Sequence, residues 1–272
     1  MEKNKKYLIV CDLDGTLLNN NKEIPVSTVN YFKKLNQEGH IIVLASGRPT
    51  NNILFFYKMI GLKTPAIAFN GLHTRFANRK DDIKFFFNKK NIIQILKTLE
   101  KKIKLKNIFF STEDCIYAVN DRDTPRFWKS NMKNLFCPVD EILKNDVMNF
   151  VIELEDKVND KKKIEELLKH FKQNKICFWV GKYDGFVEIY DTVCNKYKAI
   201  MNIAKKLNIN EENILAFGND LNDIEFLKNL KYAYAMKNSS DYIKKHSHLT
   251  TKFDNDNLGV EKELNIILAN SK

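Results

Sequence analysis

The chain has 272 residues, of which 44% are hydrophobic and 11% aromatic, a content that excludes a disordered chain and suits one large domain or two unequal ones. It carries 45 Lys and Arg against 34 Asp and Glu, a formal charge of +11. The lysines are spread over the whole length among Glu, Asp and Asn, so they read as a solvated surface and no nucleic-acid partner is expected.

The N-terminal stretch MEKNKKYLIV is charged and then apolar over only a strand's length, which predicts neither a secretory signal nor a membrane anchor. No segment approaches the roughly 20 apolar residues of a membrane span, so a cytoplasmic protein without a membrane partner is expected. Lys6 to Cys11 reads as a strand buried on both faces, because its apolar residues are continuous and do not alternate. VSTVNYFKKLNQEG has helical spacing, with Ser27 expected as its N-cap and Gly39 as its stop. HIIVLAS is a second apolar strand. RPTNNILFFYKMIG follows as a second helix, with Pro49 in its first turn and Gly61 at its end, and PAIAFNG is a third strand. This βαβαβ order predicts an α/β fold, a parallel sheet with helices on both faces.

The middle of the chain has another rhythm. NIFFS and CIYAV flank the turn TED as the arms of a hairpin do. A strand NFVIELE, a helix DKKKIEELLKHF and two further strands, KICFWV and GFVEIY, come next. Together they predict an α+β module over residues 84–187, inserted into a parallel-sheet domain formed by residues 1–83 and 188–272. Phe178 and Trp179 are expected in the core of the insert. Beyond it, KYKAIMNIAKKLNI is an amphipathic helix with Ala199, Ile200, Ile203, Ala204 and Leu207 on one stripe. The strand NILAFGND, the helix NDIEFLKNL and the strand KYAYAM complete the order. The five cysteines form no CxxC pair and are read as small hydrophobes outside any disulfide framework. His73, His246 and His248 are read as surface or packing residues.

In an open parallel sheet, ligands bind beyond the carboxyl ends of the strands. Four predicted strands end in polar residues: Asp12 and Asp14; Ser46-Gly47-Arg48; Asn70-Gly71; and Gly218-Asn219-Asp220 with Asn222-Asp223. A rim so rich in carboxylates needs a counter-ion, and Mg2+ is the hard, oxygen-ligated choice. With that charge neutralised, Asp12 can attack an anionic phosphate, and Asp14, two residues on, can carry the proton to the leaving oxygen. Gly15 allows a sharp turn between them. The Ser46 hydroxyl and the Gly47 amide can bind phosphate, and a lysine would complete the clamp on the transferring group.

DLDGT resembles the first motif of the haloacid dehalogenase superfamily of aspartate-nucleophile phosphohydrolases. LASGR is similar to its second motif, EIYDTVCNKYKAI to the Cof-type segment that supplies a lysine, and FGNDLNDIEFL to its fourth motif; NDNLGV is similar to a tail segment of Cof-like members. The resemblance implies a Rossmann-like catalytic core with an α+β cap that sets substrate specificity. It also implies a Mg2+-dependent phosphatase acting on small phosphorylated metabolites, sugar phosphates first and nucleotides second, through an aspartyl-phosphate. Asp12 would be the nucleophile and Asp14 the acid and base. Ser46, Lys196 (in preference to Lys198) and Asn222 would hold the phosphoryl oxygens, and Asp12, the Asp14 carbonyl, Asn219 and Asp223 the metal.

Two positions depart from the family's pattern. Asn219 stands where the family has Asp, a neutral ligand for which Asp220 or Asp223 compensates, and Tyr197 stands where Gly commonly follows the lysine. Other roles stay open on the residues alone. Ser46 is a phosphate ligand or a helix cap, Asn70 a substrate contact or a turn residue, and Arg48 a phosphate ligand or the partner of a carboxylate. Two rival functions remain. A sugar phosphomutase or phosphotransferase would need a second phosphate site in the insert, where Arg122 and Arg126 are the only arginines. A weakly active sensor of phosphorylated metabolites is suggested by Asn219.

Overall fold

The computed structural model describes residues 6–120, 133–169, 171, 174–178 and 184–270; Arg122, Arg126 and Trp179 lie outside them. The chain divides into two compact units, residues 1–83 with 195–272 and residues 84–194.

The first unit opens with β1 (Leu8–Asp12), α1 (Val26–Gln37), β2 (Ile41–Ala45), α2 (Thr50–Ile60), β3 (Ala66–Ala68), β4 (His73–Arg75) and β5 (Ile83–Lys84), which straddles the division. The second unit holds α3 (Lys89–Glu100), β6 (Leu105–Ser111), β7 (Cys115–Ala118), β8 (Lys133–Phe136), α4 (Val139–Ile142), β9 (Asn149–Leu154), α5 (Asn159–Leu168), β10 (Asn174–Phe178) and β11 (Phe186–Asp191). The first unit then resumes with α6 (Lys196–Lys206), β12 (Ile214–Gly218), α7 (Ile224–Asn229), β13 (Ala233–Ala235), α8 (Asp241–Lys244), β14 (Leu249–Thr250) and α9 (Gly259–Asn270).

Among the described residues the first sheet runs β14-β13-β12-β1-β2-β3-β4-β5. It is parallel from β14 to β3, as the βαβαβ order requires. Every residue of β1 and β12 is buried, the consequence of helices on both faces. β1 is the switch point: the chain leaves it toward β2 on one side and reaches β12 on the other. An α/β sheet opens its ligand crevice at such a point. α1 packs Val29, Phe32 and Leu35 inward, and α6 packs Ala199, Ile200, Ile203 and Ala204.

Several local expectations need correction. α1 starts at Val26 behind Pro25, without a side-chain cap; the hydroxyls of Ser27 and Thr28 donate instead to Glu261 Oε2. Leu207 lies past the end of α6 and is exposed, so it leaves the stripe. PAIAFNG is a strand only over Ala66–Ala68, because the chain turns back at once into β4, antiparallel to β3. Phe69 and Asn70 both take left-handed backbone in that turn, with φ of +49° and +56°. At Gly71 (φ +103°) a Cβ would stand 2.4 Å from the Asn195 carbonyl oxygen, so glycine lets the start of α6 approach.

The second sheet runs β10-β11-β9-β6-β7-β8 and is antiparallel except between β7 and β8. Alternate strand residues Ile108, Phe110, Phe150, Ile152, Val187 and Ile189 face Ile92, Ile95 and Leu99 of α3 and Ile164 of α5 in one core. Phe178 packs against it. The boundary expected near residue 187 falls inside β11, which pairs with β9 and β10; the contacts divide at 194/195 instead. Cys11 and Cys194 are buried and the other three cysteines half-buried. No helix of the described residues is long and apolar enough to cross a membrane.

Candidate active site

Register places the site. Asp12 pairs with Ala45 across β1 and β2, and Cys11 with Phe217 across β1 and β12. The residues just past these pairs, Ser46 on one side and Gly218-Asn219 on the other, therefore flank Asp12 at the carboxyl edge.

Lys196 is the first residue of α6, whose N-cap Asn195 accepts from the Lys198 amide. Its side chain is wholly buried, and Nζ donates to Asp12 Oδ1 at 2.7 Å and to Asp223 Oδ1 at 2.8 Å. Asp223 Oδ2 accepts from the amides of Asn219 (2.8 Å) and Asp220 (3.1 Å), so this carboxylate braces the turn after β12. Burial pushes the Asp12 carboxyl up to about 7, with Lys196 opposing the rise and Asp223 adding to it. Burial works against the charge on Lys196, but the two carboxylates outweigh it and hold the ammonium above its ordinary range.

Asp14 faces a different partner. Arg48 grips it with two hydrogen bonds, Nε to Oδ2 and Nη2 to Oδ1, both 2.7 Å, and Lys22 Nζ lies 3.0 Å from Oδ1. Arg48 also sits 5.6 Å from the centroid of the Phe56 ring. Burial raises the Asp14 carboxyl, yet the Arg48 hydrogen bonds and charge, helped by Lys22, hold it below the ordinary carboxylate range. Of the two roles open to Arg48, the structure shows the carboxylate partner.

Ser46 is buried, and its Oγ accepts from the Arg48 amide at 3.2 Å. The turn after β3 docks on the same loop: Asn70 N donates to Ser46 O and Phe69 N to Arg48 O, each at 3.1 Å. The Asn70 side chain lies over Gly47, and its Oδ1 accepts from Asn222 Nδ2 at 2.8 Å. Asn70 is thus a turn residue whose side chain reaches the cluster. Ser46, Gly47, Asn70 and Asn222 form one polar wall. Asp220 does not join it: its carboxylate accepts from the Leu221 amide and is exposed.

The inner end of the Asn219 amide lies among oxygens. With Nδ2 inward it donates to Asp14 O at 2.9 Å, Thr16 Oγ1 at 2.9 Å and Asp12 Oδ2 at 3.2 Å. With Oδ1 inward it accepts from the Thr16 hydroxyl and confronts a main-chain carbonyl and a carboxylate oxygen. Those three groups, one carboxylate, one carbonyl and one amide oxygen, are the hard donors that a small divalent cation takes, so the residues fit one. Gly15 (φ +80°) makes room: a Cβ there would stand 2.5 Å from the Asn219 side-chain nitrogen.

Sequence reasoning missed Thr16, Lys22 and Asn238, whose Nδ2 donates to Gly15 O at 2.8 Å. Thr16 lies within DLDGT and was there to be read. Lys22 and Asn238 sit in unpatterned loops and carry no signal.

The haloacid dehalogenase-like hydrolase family model matches residues 9–264. Over 255 residues the chain is 27% identical to YitU of Bacillus subtilis (strain 168), a 5-amino-6-(5-phospho-D-ribitylamino)uracil phosphatase, covering 91% of this chain and 92% of that one. A haloacid dehalogenase-like hydrolase from Bacteroides thetaiotaomicron superposes with a TM-score of 0.78 at 21% identity, over 97% of this chain and 100% of the other. The HAD subclass IIB sugar phosphatase BT4131 superposes with a TM-score of 0.80 at 21% identity, over 96% and 99%.

Proposed function

The chain belongs to the haloacid dehalogenase-like hydrolases and is a phosphatase, and from that premise we propose that it hydrolyses monoesters of small phosphorylated metabolites with Mg2+. Sugar phosphates are the leading substrate class, with nucleotides second. The observation that carries the reading is the buried bridge of Lys196 between Asp12 and Asp223 at the end of β1, with Asp12 Oδ2, the Asp14 carbonyl and the inner end of the Asn219 amide converging beside it. The names of YitU and of the sugar phosphatase support small phosphorylated substrates.

Asp12, the Asp14 carbonyl and Asn219, with Asp223 behind, would hold the cation. When bound, it supplies charge neutralisation for phosphate and nucleophile. An Asp12 carboxylate oxygen forms the new bond to phosphorus as the bond to the leaving oxygen breaks. Lys196 is in hydrogen-bond reach of Asp12 and offsets negative charge as the phosphoryl group arrives. Ser46, Gly47 and Asn222 line the wall that receives the phosphoryl oxygens.

Asp14 gives its proton to the leaving alkoxide. It then takes a proton from the water that attacks phosphorus, and the phosphorus–Asp12 bond breaks to release phosphate. While Arg48 grips both carboxylate oxygens, Asp14 is held ionised, the form the second half needs. The first half requires it protonated and released from that grip. The second unit, lying where the family inserts its cap, is the part that selects among substrates.

Hydrolysis of p-nitrophenyl phosphate with Mg2+ tests the reading. Asp12→Asn is expected to lower kcat by a factor on the order of 10^4 or more, since it removes the nucleophile outright. Turnover that survives Asp12→Asn would falsify it.

A further inference from the structure

Asn219, one of the two positions that depart from the resembled pattern, has two faces. Asn219 presents one end of its amide to Asp14 O, Thr16 Oγ1 and Asp12 Oδ2, and the two ends do opposite things there. A primary amide nitrogen brings two N–H donors to these three acceptors, and the Thr16 hydroxyl can rotate to suit either end. The amide oxygen instead adds an acceptor to a place already facing two, a conflict that a cation reconciles. An aspartate at 219 would have acceptors on both sides. It would also add a negative charge beside Asp12 and Asp223, whose buried partner Lys196 is already shared between them.

We propose that Asn219 is an internal stand-in for the cation. Without metal, Nδ2 faces inward and its two hydrogens hold the Asp14 carbonyl and the Asp12 carboxylate where the cation would hold them. When a divalent cation enters, the amide turns over and offers Oδ1 as a ligand. The bare backbone of Gly15 beside the amide, where a Cβ would collide with it, leaves space for that rotation. The consequence is a trade. The chain folds with its nucleophile positioned in the absence of metal, and it binds metal more weakly than a carboxylate would allow. This inference rests on the cation reading of the site given above.

The test compares wild type with Asn219→Asp by thermal unfolding in EDTA and by calorimetric titration with Mg2+. In EDTA the variant is expected to melt about 5–10 °C below wild type, the scale of turning a satisfied, partly buried contact into a repulsive one in a chain of this size. It is also expected to bind Mg2+ roughly tenfold more tightly, as an added ligand charge does, and to gain more stability from it than wild type gains. A variant that melts at or above wild type in EDTA overturns the stand-in. Should Asn219→Asp not fold at all, the side-chain amide protons of Asn219 in wild type decide by NMR. Slow exchange in EDTA that is lost on adding Mg2+ supports the proposal, and indifference to Mg2+ overturns it. The EDTA comparison needs neither metal nor turnover, so it judges Asn219 even where the p-nitrophenyl phosphate assay defeats the phosphatase reading.

Discussion

The two units place their polar residues differently. In the first, β1 and β12 are buried throughout, and polarity begins only where the strands stop, at Asp12, Ser46 and Asn219. In the second, polar residues stand within the strands, among apolar ones such as Phe109, Val151 and Phe186 that form a cluster of their own. Val187 and Ile189 of β11 face the helices, while Glu188 between them lies on the other face, where Asn149 Nδ2 donates to it. A parallel sheet covered by helices on both faces has room for charge only at its ends. An antiparallel sheet with helices on one face can carry polar residues within its strands on the other. Chemistry in the first unit is therefore contiguous in sequence after each apolar run, and in the second it is diluted within the strands.

That contrast can be broken most forcefully at Lys196. Lys196→Met keeps most of the length of the side chain but leaves Asp12 and Asp223 buried without their shared cation, which costs about 3–5 kcal/mol of stability. It also lowers kcat by roughly 1000-fold or more by removing a charge used on the transferring group. Denaturant melts and the p-nitrophenyl phosphate assay read the two effects separately. In the second unit the comparable injury is apolar. Phe150 is fully buried between Phe87 and Phe110, with ring centroids 5.4 and 5.5 Å away. Phe150→Ala is expected to cost about 3–5 kcal/mol, and the loss should be local. Hydrogen exchange of the β6 and β9 amides should accelerate while β1 and β12 keep their protection. Equal acceleration in both sheets would show that the units unfold as one.

How much could be read in advance follows from the same contrast. The strands of the first sheet were legible as continuous apolar runs, and the candidate residues as the punctuation that ends them. Lys196 was not legible from periodicity, because a lysine at the start of an amphipathic helix looks solvated; it came from the resemblance of its segment. The return strand β4 was missed since His73-Thr74-Arg75 carries no alternation. The pairing of Thr16 with Asn219 joins residues 203 positions apart, and only the parallel register of β1 with β12 brings them together. The choice of Arg48 between phosphate and carboxylate depended on a side-chain direction that no spacing encodes.

Acid–base linkage sharpens the comparison at Asp12, a carboxylate buried at the end of β1 against Lys196. Burial raises this group from 3.8 to about 7, so between those values the folded chain binds a proton that the unfolded chain has released. Its contribution to stability is fully present below the ordinary value and is lost as pH rises through about 7. In EDTA the melting temperature of wild type should therefore fall over that interval by more than that of Asp12→Asn, which stays neutral throughout. Parallel curves for the two proteins would remove Asp12 as the source of the slope.

The smallest expected effects separate the two grips on Asp14, whose linkage has the opposite sign. Its carboxyl is held low, so its contribution is present above the ordinary carboxylate range and lost as pH falls. Arg48 is 14% exposed and makes two short contacts; Lys22 is 59% exposed and makes one of 3.0 Å. Arg48→Ala should move the Asp14 limb of the kcat/KM profile to higher pH, because the bidentate charge that favours the ionised form is gone. Lys22→Ala should change stability by less than about 1 kcal/mol and shift the same limb only slightly. Its effect should also fade in about 0.5 M salt, where the Debye length shrinks to a few ångströms, while that of the more enclosed Arg48 persists. Equal, salt-sensitive shifts from both variants would mean that Asp14 behaves as a surface carboxylate in a diffuse positive field.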